Sequence, residues 1–167
     1  MSIPAADANP DPQRTLLRHM LATLAYRGGK ALRGSPPGFA DLRAAPAART
    51  PGEILAHIGD LLDWGVSLAG GEKRWHASEP LPWDAEVERF FAALATFDRW
   101  LASPAPLAVP AEKLLQGPLA DAFQHVGQLA LLRRLAGAPV RGESYLRADI
   151  EIGRVGAEQA PPRLEFD

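Results

Sequence analysis

LLQGPLADAFQHVGQLALLRRLAG, residues 114–137, is the stretch on which the reading of this chain turns. Taken every third or fourth residue, Leu114, Pro118, Asp121, His125, Gln128, Leu132 and Leu135 share one helical stripe. The ends of the stripe are apolar and its middle is polar. A helix packed against others buries such a stripe, and polar groups placed there need partners. A carboxylate and an imidazole four residues apart on one helical face can hold one metal ion. The helix is expected to restart or kink at Gly117-Pro118, because proline lacks the backbone donor. It should run to Ala136 and stop at Gly137, with Pro139 beyond.

A second interruption lies upstream. Thr50, Pro51 and Glu53 form a helix entry of capping-box type, and Gly70-Gly71 ends the segment. Its stripe Ile54, His57, Leu61, Trp64, Leu68 is apolar except for His57. The neighbouring stripe Leu55, Ile58, Leu62, Val66, Ala69 widens the apolar face, so that His57 falls within it.

Two further helices complete the pattern. Asp11-Pro12 starts one that runs to about Leu32, with Leu17, Met20, Leu21 and Leu24 on its core face. Asp84 is the expected cap of another, which reaches about Ala102 and carries the unbroken apolar stripe Val87, Phe90, Leu94, Phe97, Leu101. Residues 34–49 are rich in Pro, Gly and Ala, with one short helical turn near Phe39–Leu42. Residues 1–10 are expected to fray. In the tail, residues 140–167, Ile150 and Ile152 alternate with charges and suggest a short extended piece. Its apolar residues imply that it packs on the helices, the end holding the polar interruptions being one candidate location. The expected fold is therefore all-α, a single four-helix bundle spanning 1–167 with long connecting loops. The two loops of more than ten residues allow a crossover or a lid over one end.

Composition narrows the function classes. The chain has 167 residues, 18 basic and 20 acidic, for a formal charge of −2. No general attraction to nucleic acid or to an anionic membrane follows from that balance. Cysteine is absent. Disulfides, thiolate ligands and a cysteine nucleophile are thereby excluded, and any thiol must arrive on a small molecule. No apolar run approaches the ~18 residues of a membrane span. The N-terminus does not read as a secretory signal, so a cytoplasmic location is expected.

His57, Asp121 and His125 are the candidate ligands of one divalent transition metal, with Zn, Ni and Fe compatible with two nitrogens and one oxygen. Gln128 and Asp60 are candidates for supporting those ligands or orienting substrate, although Asp60, like Asp63, also reads as a solvated residue. A competing reading keeps the same residues without metal. In it Asp121 hydrogen-bonds a histidine and merely satisfies a polar core, in a structural or ligand-binding homodimer. His76 is expected in a loop and His19 at the core edge. Glu-x-x-His pairs, phosphate-binding glycine loops and nucleophile elbows are absent.

Three segments resemble the DinB-like superfamily of bacterial proteins, which includes the YfiT-like metal-dependent hydrolases. They are Glu53-Ile-Leu-Ala-His57-Ile followed by Trp64, then Asp121-Ala-Phe-Gln-His125-Val-Gly-Gln128 running on to Gly137, and Tyr145-Leu-Arg-Ala-Asp-Ile-Glu-Ile-Gly-Arg-Val-Gly156. The resemblance implies a four-helix bundle holding one divalent metal on three histidines, one on the second helix and two on the last. His57 and His125 match the first and third of these. Asp121 stands at the middle position, which keeps an oxygen donor but alters charge and metal preference. The resemblance further implies thiol-transferase or hydrolase chemistry on a small-molecule substrate, a low-molecular-weight thiol as co-substrate, and a homodimer. It gives no reason to expect nucleic-acid or membrane partners.

Overall fold

The structure is a computed structural model and describes residues 11–166. It is mostly helical, with four long helices and one two-stranded sheet. The expected fraying of residues 1–10 lies outside the described residues. Helix α1 spans Pro12–Leu32, α2 Pro51–Ala69 and α3 Trp83–Ala102. The short α4, Ala111–Leu114, passes through a π-helical turn, Leu115–Leu119, into α5, Ala120–Leu135.

Local chemistry accounts for most of these limits. Asp11 accepts from the Gln13 backbone N–H at 2.9 Å, which caps α1. Thr50 and Glu53 form the reciprocal capping box, with Thr50 N–H donating to Glu53 Oε2 at 2.6 Å and Glu53 N–H to Thr50 Oγ1 at 3.2 Å. The start of α3 differs from expectation. The helix begins at Trp83 behind Pro82, with no side-chain cap, and Asp84 lies in its first turn. There its charge faces the positive end of the helix dipole. Pro118 does not break the last helix either. One extra residue is accommodated in a π turn around the missing donor, and the helix continues. Gly137, at φ +73, takes the left-handed conformation that ends α5.

Helices α1 and α2 are consecutive in sequence, yet each packs against both α3 and α5. The long connection at 33–50, with a 3-10 turn at Phe39–Asp41, carries the chain from one to the other. Leu21, Leu24, Ile58, Leu62, Phe90, Leu94, Phe97 and Leu129 are among the residues that form the buried core between the helices. At Gly65 a Cβ would come within 2.4 Å of the Phe97 ring, so only glycine lets α2 and α3 approach this closely.

Polar ties through the interior were not read from the stripes. The apolar stripe of α3 faces the core, but Glu86 and Asp98, beside it on the same helix, are buried as well. Arg18 grips Asp98 through two hydrogen bonds, of 2.8 and 2.9 Å, and so joins α1 to α3. Arg133 is buried and donates to the carbonyls of Ala31 and Arg33 at 2.8 Å each, satisfying acceptors that the end of α1 leaves without a partner within the helix.

The tail packs on α1. Glu143 is held by Tyr26 Oη and Lys30 Nζ, each at 2.6 Å, and the same ammonium reaches Glu165 at 2.7 Å. Gly142–Glu143 pairs antiparallel with Glu165–Phe166. The extended piece therefore lies there and not at Ile150 and Ile152, because Lys30 draws the two glutamates together. Tyr145 stands edge-on to Tyr26, and Val155 is buried, whereas Leu146 is fully open to solvent.

Candidate metal centre

His57 projects from the second turn of α2, and Asp121 and His125 from the first turns of α5. These two helices pack side by side. The three side chains meet, with one donor atom from each lying within 4.8 Å of the others. Asp121 stands between the imidazoles. Its Oδ2 is 3.6 Å from His57 Nε2, and its Oδ1 is 3.3 Å from His125 Nε2. The two rings are nearly perpendicular, with centroids 4.7 Å apart.

Donors about 2.0–2.1 Å from a four-coordinate ion are separated from one another by roughly 3.3 Å. The His125–Asp121 separation matches that edge, and the His57–Asp121 separation, to the other carboxylate oxygen, is somewhat longer. Both exceed the ~2.7–2.9 Å of a charge-assisted hydrogen bond. The arrangement leaves room for an ion between the three groups. Gln128, one turn beyond His125, accepts from its Nδ1–H at 2.8 Å. In this tautomer the Nε2 lone pair is left facing Asp121. At His57, burial, the nearby Arg49 and the facing His125 push the imidazole below its ordinary pKa, while Asp121 pulls the other way. The net effect favours the neutral ring, the form that binds a metal.

The site lies at a mouth, not in the middle of a sealed core. His125 is buried, but the side chains of His57 and Asp121 are 19% and 40% exposed. The expectation that the whole polar stripe is buried is corrected here. Leu114 and Leu132 are buried, while Leu135 is 61% exposed. An exposed carboxylate costs little without a partner, so burial alone does not force Asp121 to be satisfied.

The loop between α2 and α3 borders this mouth. Trp75 stands edge-on to His57 at 5.7 Å between centroids, and Trp64 stands edge-on to Trp75 at the same distance. Asp60 fastens the loop. It accepts from the Ser78 backbone N–H at 2.8 Å and from Ser78 Oγ at 2.7 Å, and Arg89 of α3 donates to it at 2.6 Å. Asp60 is 5% exposed, which corrects the reading of it as solvated. Its carboxylate is not one of the three convergent groups, although it lines a small cleft with His57. Burial alone would raise its pKa, but the Ser78 and Arg89 contacts outweigh that and hold it below the ordinary carboxylate value.

His76 is exposed in the loop and lines a cleft with Trp64 and Trp75, outside the convergent group. His19 is fully on the exposed side of α1 and not at the core edge. Residues 145–156 pack along α1 and line neither cleft beside His57 and His125. Arg49 was not singled out in the sequence, since a lone arginine in a Pro- and Ala-rich loop carries no periodic signal. It borders both of those clefts.

Among the described residues no helix is long and apolar enough to cross a membrane. Comparison of the chain with protein-family models, with curated proteins and with solved structures finds no match.

Proposed function

We propose that this chain is a DinB-like four-helix bundle that holds one divalent metal on His57, Asp121 and His125 and acts as an enzyme of thiol-transfer or hydrolase type. The convergence of two imidazoles and one carboxylate, with one donor atom from each within 4.8 Å of the others, carries the reading. The donor set is that of a borderline metal such as Zn, Ni or Fe, and three protein ligands leave a position open. A metal held there supplies Lewis acidity toward a substrate at the mouth. Gln128 fixes the His125 ring, and the Asp60–Ser78 tie holds Trp75 against His57, narrowing solvent access to that side. Since the chain has no cysteine, the thiol of a transfer reaction would come from a low-molecular-weight co-substrate. Leu135, 61% exposed on α5, supports association with a second copy of the chain.

Elemental analysis of untagged protein tests the metal reading. About one equivalent of a transition metal is expected in wild type and little in His57→Ala. Less than about a tenth of an equivalent in wild type after reconstitution overturns it. Added zinc should also raise the melting temperature of wild type but not of the variant. Metal-loaded protein is then assayed with a low-molecular-weight thiol and an electrophile, and separately with ester and amide substrates.

A further inference from the structure

We infer that Arg49 and the apolar cleft beside His125 receive an amphiphilic carboxylate, with the anionic head at Arg49 and the hydrocarbon body along Ile54, Leu131 and Leu132. This names a substrate class for the site, and it rests on the metal reading only for what happens at the ligand's reactive end.

Arg49 immediately precedes the Thr50 cap of α2. It lines a cleft of about 420 Å3 together with Ile54, His125, Gln128, Leu131 and Leu132. That volume lies within the range of small-molecule sites. The same arginine borders the adjoining cleft that contains His57, Glu53 and Asp60. Arg49 therefore borders the opening beside His125 as well as the one beside His57.

The nearby acids do not neutralise it. Glu53 accepts from the Thr50 backbone N–H at 2.6 Å and from Arg43 at 3.4 Å. Asp60 is taken up by Ser78 and Arg89. Among the described residues the Arg49 guanidinium has no hydrogen bond or ion pair. Its charge is nevertheless felt at His57, where it disfavours the protonated ring. A planar fork without a counter-ion is suited to bidentate pairing with a carboxylate. The wall beyond it is largely aliphatic, and Leu131 leaves more than half its surface open. A purely inorganic anion would leave that wall in water, whereas an alkyl chain would cover it.

The test is a titration of the full-length protein with butanoate, hexanoate and octanoate, followed by 15N–1H spectra, before and after zinc loading. Shifts are expected at the Arg49 Nε–H and at the amides of Ile54, Leu131 and Leu132. Affinity should rise roughly three- to fourfold per added methylene. Arg49→Gln should weaken each ligand about tenfold, with Arg49→Lys in between, because lysine keeps the charge but loses the fork. Both variants should keep the wild-type spectrum elsewhere, since Arg49 is exposed and outside the helices. Equal affinity across the series, equal affinity for inorganic phosphate, or unchanged binding in Arg49→Gln overturns the inference. Uptake of zinc, nickel and iron is measured on the same protein. A protein that takes up no zinc, nickel or iron but binds octanoate through Arg49 overturns the metal reading and supports this one.

Discussion

Ser78 donates through both its backbone N–H and its hydroxyl to Asp60, which lies one turn beyond His57 on α2. This pair fixes the α2–α3 loop beside the candidate metal centre, and Arg89 locks the carboxylate from α3. The loop's Trp75 is thereby kept against His57. Support of the site from outside its own ligands follows from this one contact.

The Asp60 tie should weaken in acid. Its folded pKa lies below the unfolded value, so its contribution to stability is fully present above the unfolded pKa, near 4. It is lost as pH falls through the folded value. Urea unfolding between pH 6 and 2.5 should show a steeper acid loss in wild type than in Asp60→Asn. Parallel profiles for the two proteins would contradict the assignment.

Asp121 is the residue that separates the proposed ligand set from an all-histidine one. Asp121→Asn should lower zinc affinity by at least about tenfold, since even removal of a group that only supports a ligand costs roughly 10–100-fold. Asp121→His should keep metal and shift preference toward softer ions. Competition with a chromogenic chelator measures both. Undiminished binding in Asp121→Asn would remove Asp121 from the ligand set.

Gln128→Leu should release the His125 ring from its 2.8 Å hydrogen bond while filling similar space. Zinc affinity is expected to fall about 10–100-fold with little change in melting temperature of the metal-free protein. A large loss of metal-free stability with unchanged affinity would mean that Gln128 serves packing alone.

Lys30→Met should destabilise the fold by about 3 kcal/mol, because it leaves the Glu143 carboxylate, which has no exposed side-chain surface, without its counter-charge and held only by Tyr26. The double change with Glu143→Gln should recover part of that loss. Denaturant titration measures the stabilities. Limited proteolysis should show the tail around Tyr145–Val155 protected in wild type and cut faster in Lys30→Met.

Gly65→Ala places a methyl group against the fully buried Phe97 ring. A loss of about 1–3 kcal/mol is expected from overpacking. Thermal and urea unfolding read it directly, and a neutral result would mean that the ring can move aside.

Helix limits were largely legible in the sequence where a cap, a proline or a glycine acts on its own neighbours. Pro12 to Leu32 and Thr50 to Ala69 follow from such short-range rules. The start of α3 was misread, because Asp84 can serve the first turn of a helix as well as its cap. At Gly117-Pro118 the sequence allows either a restart or a kink, and the choice of a π turn depends on what the helix packs against on either side.

By itself, the sequence determined four apolar helical faces and two places, His57 and Asp121–His125, where polar groups interrupt them. Periodicity is a property of the backbone and needs no partner to be read. Only the tertiary structure decided that α2 and α5 pack side by side, which brings the imidazoles to 4.7 Å between ring centroids. It also decided that Asp60 is buried against Ser78 and Arg89, that Glu143 closes on Lys30, and that Arg49 overlooks the site. Each of these joins residues far apart in the chain. Their burial and charge balance are set by the elements that meet, and no single segment carries that information.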